Sequence, residues 1–149
     1  MDTSITPLSD HDLPELALLY RQFWNEDSDV NAMRTVFSRL RSDPNYILLA
    51  AHRDNGNGLA GSAMGIICEE LYGACRPFMV VEDVVVGAQY RRKGIGTALM
   101  RELERIALER GCASVLFVSE AGRADACAFY RSLGYDPDTK RGFKKRLAR

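Results

Sequence analysis

Three consecutive cations and two glycines lie within one short segment of the chain, Gln89-Tyr90-Arg91-Arg92-Lys93-Gly94-Ile95-Gly96-Thr97. A helical pattern begins inside this segment. The start of a helix exposes backbone N–H groups without carbonyl partners and the positive end of the helix dipole, and both attract phosphate. Glycine leaves room for an anion to approach the backbone. The segment therefore predicts a site for a phosphate-bearing ligand.

Other interpretations of the glycine segment fit less well. A P-loop ends in Gly-Lys-Ser or Gly-Lys-Thr, and the sequence has no such ending. A dinucleotide fingerprint requires a small residue where Leu99 stands, five positions after Gly94, although Glu120 could act as its ribose-binding acid. The dinucleotide site is thus the weaker alternative. The remaining alternative is a purely structural role, in which the segment is a glycine-rich turn with basic residues exposed to solvent.

A second unusual feature is the acidic pair Glu82-Asp83 inside the apolar segment Phe78–Val86. A carboxylate in a core strand loses hydration, and a functional role would explain that cost. Because side chains alternate across a strand, we expect only one of the two carboxylates to face a site. A structural ion pair with an arginine is the alternative role for Glu82.

An aromatic segment with defined spacing follows the glycines, Ala126-x-x-Phe129-Tyr130-x-x-Leu133-Gly134-Tyr135. Together with Arg91-x-x-Gly94-x-Gly96 and the preceding Glu82–Val86, it resembles the GNAT superfamily of acetyl-CoA-dependent N-acetyltransferases. The resemblance spans residues 78–147, and the N-terminal half is compatible in layout without a specific motif. It implies an α/β fold, a three-layer sandwich in which helices flank a mixed, mostly antiparallel central sheet.

The resemblance also implies which residues bind acetyl-CoA as cosubstrate. The backbone of Val84 and Val86 would pair with the pantetheine arm as if it were another strand, and N–H groups from Arg92 to Thr97 would hold the pyrophosphate. Arg123 stands where the family often has Asn, and it is the candidate for a side-chain contact there. The cofactor-binding candidates are Val84, Val85, Val86, Arg91, Arg92, Lys93, Gly94, Ile95, Gly96, Thr97, Arg123 and Tyr130.

Acetyl transfer from a thioester to an amine needs a base and an acid. An amine with a pKa of ~10 is neutral in about one molecule in a thousand at pH 7, a penalty of ~4 kcal/mol. The family position favours Glu82 as the base, acting directly or through water. Tyr130 matches the tyrosine near the thioester sulfur and can protonate the leaving thiolate, unless it is only a core aromatic beside Phe129. A ping-pong route through Cys127 has no base positioned for it in the sequence.

The periodic spacing of apolar residues predicts the secondary-structure elements that position these residues. Their predicted order is β-α-α-β-β-β-α-β-α-β. Alternation or apolar runs indicate strands, and an asparagine- and glycine-rich turn, Asp54 to Gly58, predicts a hairpin. The predicted elements are strand 3–8, helices 13–24 and 30–40, strands 46–51, 61–68 and 78–86, helix 94–110, strand 114–118, helix 124–133 and strand 142–147.

Length and composition predict a single domain over residues 1–149, and the resemblance implies that it is an acetyltransferase domain. The chain has 46% apolar and 27% charged residues, the balance of a globular protein with a core. It contains no apolar run of the ~18 residues that a membrane span requires, and no signal peptide is visible. The four cysteines form no C-x-x-C pair and accompany two histidines, so we expect no metal site and a reducing, cytoplasmic location.

Charge is unevenly distributed along the chain. Residues 1–90 carry 13 acidic and 6 basic side chains, a balance of −7, and residues 91–149 carry 7 acidic and 14 basic ones, a balance of +7. We expect the acidic Glu26, Asp27 and Asp29 and the pair Glu69-Glu70 to border the acceptor cleft and to favour a cationic small amine. The alternatives are that these carboxylates are solvated helix ends, or that Arg76 or Lys144 receives a phosphorylated amine.

The resemblance therefore implies an acetyltransferase that moves the acetyl group of acetyl-CoA to a primary amine of a small molecule by direct attack. The alternatives are a non-catalytic acyl-CoA-binding module and a protein or peptide N-acetyltransferase. A nucleic-acid partner is disfavoured because the cations surround one glycine turn and the C-terminus without interleaved aromatic residues. We expect no membrane partner, and since such folds commonly pair as dimers, a homodimer is the candidate assembly.

Overall fold

The computed structural model describes residues 3–53, 56–120 and 122–148. It divides into two compact units, residues 1–116 (unit 1) and residues 117–149 (unit 2). Unit 2 contains the helix α4 (Ala124–Ser132). The elements of unit 1 are β1 (Ser4–Pro7), α1 (Leu13–Trp24), α2 (Val30–Leu40), β2 (Tyr46–His52), β3 (Leu59–Cys68), β4 (Phe78–Val86), α3 (Ile95–Glu109) and β5 (Val115–Leu116).

Five strands of unit 1 form one sheet in the order β1-β2-β3-β4-β5. The pairs from β1 to β4 are antiparallel, and β5 lies parallel to β4. The reason is the connections: turns and loops join β2, β3 and β4, whereas the helix α3 crosses over between β4 and β5. The predicted fold class, α/β with a mixed and mostly antiparallel sheet, is confirmed.

Helices α1 and α2 cover one face of the sheet. The buried leucines of α1, Leu13, Leu16 and Leu19, recur every three residues and form one apolar stripe. This stripe packs with Phe37 of α2 against buried strand residues that include Val85 of β4. The predicted amphipathic helices are therefore present, and their apolar faces form part of the core.

Helix α3 lies close to β3 because glycines leave the space for it. A Cβ atom on Gly61 would lie 3.2 Å from Ile95, and one on Gly65 would lie 3.0 Å from Leu103. These contacts bring the buried side of α3 onto the sheet. Its fully buried side chains include Leu99, Met100 and Leu103.

A hydrogen bond between side chains connects β2 to the turn before α1. The Nε2 atom of His52 lies 2.7 Å from a carboxylate oxygen of Asp12, and both side chains are largely buried. The hydroxyl of Thr6 lies 3.1 Å from Nδ1 of the same ring, and the N–H of Ser9 donates to Asp12 at 2.8 Å. Burial alone would raise the pKa of Asp12, but the hydrogen bonds from His52 and Ser9 outweigh it and lower the pKa.

Two predicted strands differ from the structure. The segment Gly142–Leu147 forms no strand, and Phe143 and Leu147 are 91% and 82% exposed. Its apolar residues are separated by three cations, Lys144 to Arg146, so it lacks the strict alternation of a half-buried strand. The strand predicted at 114–118 is reduced to β5.

In the predicted hairpin turn, Asp54 and Asn55 lie outside the described residues, and β2 and β3 pair as expected.

No helix in the described part of the chain is long and apolar enough to cross a membrane.

Candidate functional site

Strand β4 contains a bulge at the acidic pair. Two residues of β4, Asp83 and Val84, lie opposite a single residue of β3, Ala63. Asp83 has a φ of +55°, in the left-handed region that few residues other than glycine adopt. A bulge redirects side chains and interrupts the alternation of a strand. The bulge interrupts the simple alternation on which the expectation for Glu82 and Asp83 was based, and of these two carboxylates only Asp83 lines the pocket described below. Asp83 is half-buried and Glu82 is exposed.

Beyond its first residues, β4 has an open edge. Strand β5 pairs with β4 only at Met79 and Val80. From Val81 to Val86, no strand lies on that side of β4 in the described part of unit 1, so backbone N–H and C=O groups are left for another partner. An extended chain with amide groups can pair with such an edge. The geometry therefore leaves Val84, Val85 and Val86 open to an extended ligand with amide groups.

The start of α3 is open in the way that a phosphate site requires. Gly94 precedes the helix with a φ of +81°, and no side chain caps the helix start. The N–H of Ala98 donates to the Gly94 carbonyl at 2.9 Å, so the preceding N–H groups have no carbonyl partner within the helix. The side chain of Ile95 is buried, which leaves only its backbone for a ligand. Gly96 and Thr97 are partly accessible.

The three cations before Gly94 are all exposed, but they differ in their contacts. The Nε of Arg91 donates to the carbonyl of Val86 at 3.4 Å, so this side chain folds back to the end of β4. Arg92 has a φ of +60°, and the Nζ of Lys93 lies 5.7 Å from the centre of the Tyr90 ring. Contacts with nearby residues therefore hold the side chains of Arg91 and Lys93 near the helix start.

Arg53 is a cation near this segment that sequence analysis did not single out. Its Nη1 donates to the hydroxyl of Tyr90 at 3.1 Å, and its guanidinium lies 5.7 Å from the centre of the same ring. Glu15 lies 3.6 Å from it. Arg53 follows β2, far from the glycine segment in sequence, so no local pattern could have placed it beside Tyr90.

A pocket of about 230 Å³ opens at the C-terminal end of α1. Its walls combine aromatic rings with carboxylates, and its lining residues are Tyr20, Trp24, Glu26, Asp27, Ser28 and Asp83. Glu26 and Asp27 were predicted to border an acceptor cleft, whereas Asp83 was not. The bulge explains why Asp83 reaches a pocket on the side of the sheet covered by α1.

The other acidic residues predicted for the cleft have different positions. Asp29 caps α2, where its carboxylate accepts a hydrogen bond from the N–H of Ala32 at 3.0 Å. Glu69 and Glu70 do not line the pocket. Arg76, the candidate for binding a phosphorylated amine, donates to the carbonyl of Cys112 at 3.3 Å. Asp29 is thus a helix-end residue, the alternative role considered above.

Burial shifts the pKa values of two ionisable groups in the pocket, Asp83 and Tyr20. It raises the pKa of the Asp83 carboxyl, because desolvation disfavours the charged form. Burial also raises the pKa of Tyr20 far above its usual value, and the charge of Asp83 adds to this rise. The Tyr20 phenol is therefore neutral at physiological pH. Asp27 forms an ion pair with Arg21 at 2.5 Å.

In unit 2, Tyr130 belongs to an aromatic cluster. Its ring centre lies 4.3 Å from that of Phe117 and 5.0 Å from that of Phe129, and Tyr135 packs edge-on at 6.4 Å. Burial raises the pKa of Tyr130, so its hydroxyl keeps its proton and is a weaker acid than a free phenol. The Nε of Arg123, at the start of α4, lies 3.9 Å from Glu120.

The free thiol of Cys127 also lies in α4. It interacts with Arg131, and this hydrogen bond raises the pKa of the guanidinium. A guanidinium cannot accept the proton of a thiol. Among the described residues, no group of three or more His, Cys, Asp or Glu side chains is arranged to hold a metal ion.

Known proteins share this architecture. In sequence, the chain is 28% identical over 148 residues to the L-methionine sulfoximine/L-methionine sulfone acetyltransferase of Pseudomonas paraeruginosa, covering 91% of this chain and 81% of that protein. It is 27% identical over 149 residues to the aminoglycoside N(6')-acetyltransferase type 1 of Acinetobacter baumannii, covering 97% and 99%. In structure, the glucosamine-6-phosphate N-acetyltransferase of Arabidopsis thaliana has a TM-score of 0.85 at 19% identity, covering 97% and 99% of the two chains, a likeness of fold.

Residues 13–135 match the Acetyltransferase (GNAT) family. The match begins with α1 and ends just after α4, so it includes the open edge of β4, the glycine segment and the aromatic segment around Tyr130. The match covers most of the chain, and the fold agrees with it. The protein therefore belongs to the GNAT family of acetyltransferases.

Proposed function

We propose that this protein transfers the acetyl group of acetyl-CoA to a primary amine of a small molecule by direct attack. The observation that carries the proposal is the open edge of β4, which leads from Val81 to Val86 and is followed by the uncapped start of α3. One extended ligand with amides and a pyrophosphate would satisfy both features. The family of the chain supports acetyl-CoA as that ligand.

The cofactor-binding roles divide between backbone and side chains. Backbone groups of Val84 to Val86 would pair with the pantetheine amides, and N–H groups up to Thr97 would receive the pyrophosphate. Arg91, Arg92 and Lys93 would add positive charge at the same helix start. Arg123 would contribute a side-chain contact. Support comes from the exposure of the three cations and from the left-handed Gly94.

The base in this proposal is Glu82, acting directly or through a water molecule. The amine must lose a proton before its nitrogen attacks the carbonyl carbon of the thioester. Glu82 lies on β4 immediately before the bulge and is exposed to solvent. A carboxylate at this position can accept that proton in its ionised form.

The acid in this proposal is Tyr130. The carbon–sulfur bond breaks when the tetrahedral intermediate collapses, and the thiolate of CoA leaves. A thiol has a pKa of ~8.5 and a phenol one of ~10, so proton donation from Tyr130 is uphill even before burial is considered. Burial raises the pKa of Tyr130 further. Donation therefore depends on holding the hydroxyl close to the sulfur, which the aromatic cluster around Tyr130 supports by fixing the ring.

A small molecule is the acceptor class that the relatives favour. The named relatives act on methionine sulfoximine or methionine sulfone and on aminoglycosides. The pocket at the end of α1 is also small. A protein or peptide acceptor and a non-catalytic acyl-CoA-binding module are the alternatives.

Release of CoA with a panel of acceptors tests this function. The panel contains small primary amines, amino sugars and a short peptide with a free N-terminus, and each is compared with a reaction without acceptor. We expect release of CoA and formation of an acetylated product with at least one small amine. Binding of acetyl-CoA without turnover of any acceptor would overturn the enzymatic role, and turnover of the peptide alone would overturn the acceptor class.

A further inference from the structure

The pocket at the end of α1, here called the α1 pocket, combines negative charge with aromatic surface. Its lining includes three carboxylates, from Glu26, Asp27 and Asp83, and the rings of Tyr20 and Trp24. The two ring centres lie 5.3 Å apart, so the rings form one connected aromatic surface. Such a combination suits an organic cation, since a carboxylate attracts its charge and a ring face attracts it through the π electrons.

Asp83 has the strongest need for a positively charged partner. Its carboxylate is half-buried and forms no hydrogen bond or ion pair with any residue in the described part of the chain. Its backbone is also held in the left-handed region at the bulge. A half-buried carboxylate is partly desolvated, so a positively charged partner stabilises its charged form, and strained backbone is concentrated at functional sites. A cationic ligand would supply the missing partner.

The other charged groups at the α1 pocket do not provide a positively charged partner for Asp83. Arg21 neutralises Asp27 through their ion pair, and 61% of the Arg21 side chain is exposed. Glu26 is exposed at the rim. Asp83 and Glu26 are carboxylates with no cation paired to them in the described part of the chain, an arrangement that favours cations and disfavours phosphorylated ligands.

The size of the pocket restricts the ligand. A volume of about 230 Å³ is below the roughly 300–1,000 Å³ of typical ligand pockets. It therefore accommodates one ammonium group with a short aliphatic arm, and the rest of a larger molecule must lie outside. Neutral Tyr20 and Trp24 provide apolar surface for the methylene groups of such an arm.

We propose that the α1 pocket binds an ammonium group of the acceptor, with Asp83 as its principal carboxylate, and that the acceptor is a small amine with more than one positive charge, of the linear diamine type. The inference rests on the proposed function for the statement that this ligand is the acceptor. The binding of the cation itself stands on the pocket alone.

The single tryptophan of the chain gives a direct measurement of this binding. Trp24 lines the pocket, so its fluorescence reports occupancy without acetyl-CoA or turnover. The full-length protein is titrated with diaminobutane, with butylamine as the monocation of equal length and with aminoethyl phosphate. We expect a saturable change with diaminobutane, a Kd for butylamine higher by roughly 10-fold or more, and little response to aminoethyl phosphate. The diamine response should weaken as ionic strength rises.

Asp83→Asn is the decisive variant, because it keeps the shape of the side chain and removes the charge. Asparagine tolerates a positive φ, so the bulge can persist. We expect the Kd for diaminobutane to rise roughly 10- to 100-fold, the range for the loss of a charge-assisted hydrogen bond. Glu26→Gln should give a smaller rise. Asp10→Asn, the same change as in Asp83→Asn at an exposed position outside the pocket, serves as the control and should leave the Kd unchanged.

Two results would overturn the inference. One is tighter binding of aminoethyl phosphate than of diaminobutane, and the other is an unchanged Kd for diaminobutane in both Asp83→Asn and Glu26→Gln with folding confirmed by thermal melting. Release of CoA is measured separately with the same three compounds. Binding of the diamine without its turnover would show that the diamine is not the acceptor and leave the cation site intact. Turnover of the diamine without a change in Trp24 fluorescence would support the proposed function and overturn the cation site.

Discussion

Two glycines of β3 allow the packing of α3 and β4 to be tested by the same substitution. Gly61 and Gly65 lie on one face of the strand, and an added Cβ meets a different kind of atom at each. At Gly61 it would lie 2.8 Å from the backbone carbonyl oxygen of Val85. At Gly65 it would lie 3.0 Å from the side-chain ends of Leu103 and Met79. Flexible side chains can move by a few tenths of an ångström, whereas a strand carbonyl moves only with its strand.

These contacts predict different losses of stability. Overpacking a core costs about 1–3 kcal/mol. Replacing glycine by alanine returns about 0.4–1 kcal/mol, because the unfolded chain loses conformational freedom. We therefore expect Gly61→Ala to lower the free energy of unfolding by about 1–2 kcal/mol, or about 2–8 °C in Tm for a chain of this size. Gly65→Ala should change it by less than about 1 kcal/mol, because its neighbours can shift.

The same displacement should affect ligand binding. In Gly61→Ala, the carbonyl of Val85 must move, and Val85 belongs to the open edge of β4 that we assign to the pantetheine arm. We expect a weaker thermal shift with acetyl-CoA for Gly61→Ala than for Gly65→Ala. Urea unfolding measures the stabilities, and melting with and without acetyl-CoA measures binding. Equal stability of the two variants, or a less stable Gly65→Ala, would refute the reasoning from atom type.

Further predictions concern the ligand, the acid and the Asp12 carboxylate. Acetyl-CoA should raise Tm, and Gly96→Glu should abolish most of this shift because a carboxylate would face the pyrophosphate; a full shift in the variant would exclude this phosphate site. Tyr130→Phe should lower turnover by roughly 10- to 10³-fold with acetyl-CoA affinity unchanged, as single-turnover and binding assays can show. Unchanged turnover would mean that the thiolate takes its proton from elsewhere. The lowered pKa of Asp12 stabilises the fold above the unfolded pKa of ~3.9, and this contribution is lost as pH falls through the folded pKa. Asp12→Asn should therefore lower Tm at neutral pH and approach the parent chain in acid, and a difference that persists below pH ~2 would argue against the linkage.

Local patterns were sufficient to predict most elements. The apolar stripe of α3 recurs at helical spacing, and the helix found at Ile95–Glu109 agrees with the predicted 94–110 to within one residue at each end. Its ends are marked by Gly94 and Gly111, both with positive φ. Helix periodicity and capping depend on residues that are close in sequence, so they can be recognised without the fold.

A strand needs a partner, and this explains the wrong prediction near the C-terminus. Gly142–Leu147 contains residues that suit a strand, but its backbone pairs with no strand in the described part of the chain. The extent of β5 is likewise limited by its pairing with Met79 and Val80. Strand pairing joins residues that are distant in sequence, so composition alone cannot decide it.

The sequence by itself predicted a phosphate site at the glycine segment, because cations, glycines and a helix start are adjacent in the chain. It also identified an acidic pair in β4 as unusual. Only the tertiary structure decided where the Asp83 side chain lies. The register between β3 and β4 places two residues opposite one, and this bulge brings Asp83 into the pocket that Trp24 lines. Side-chain direction in a strand follows from hydrogen bonding to the neighbouring strand, and a shift of one residue in that pairing reverses the face on which a side chain lies.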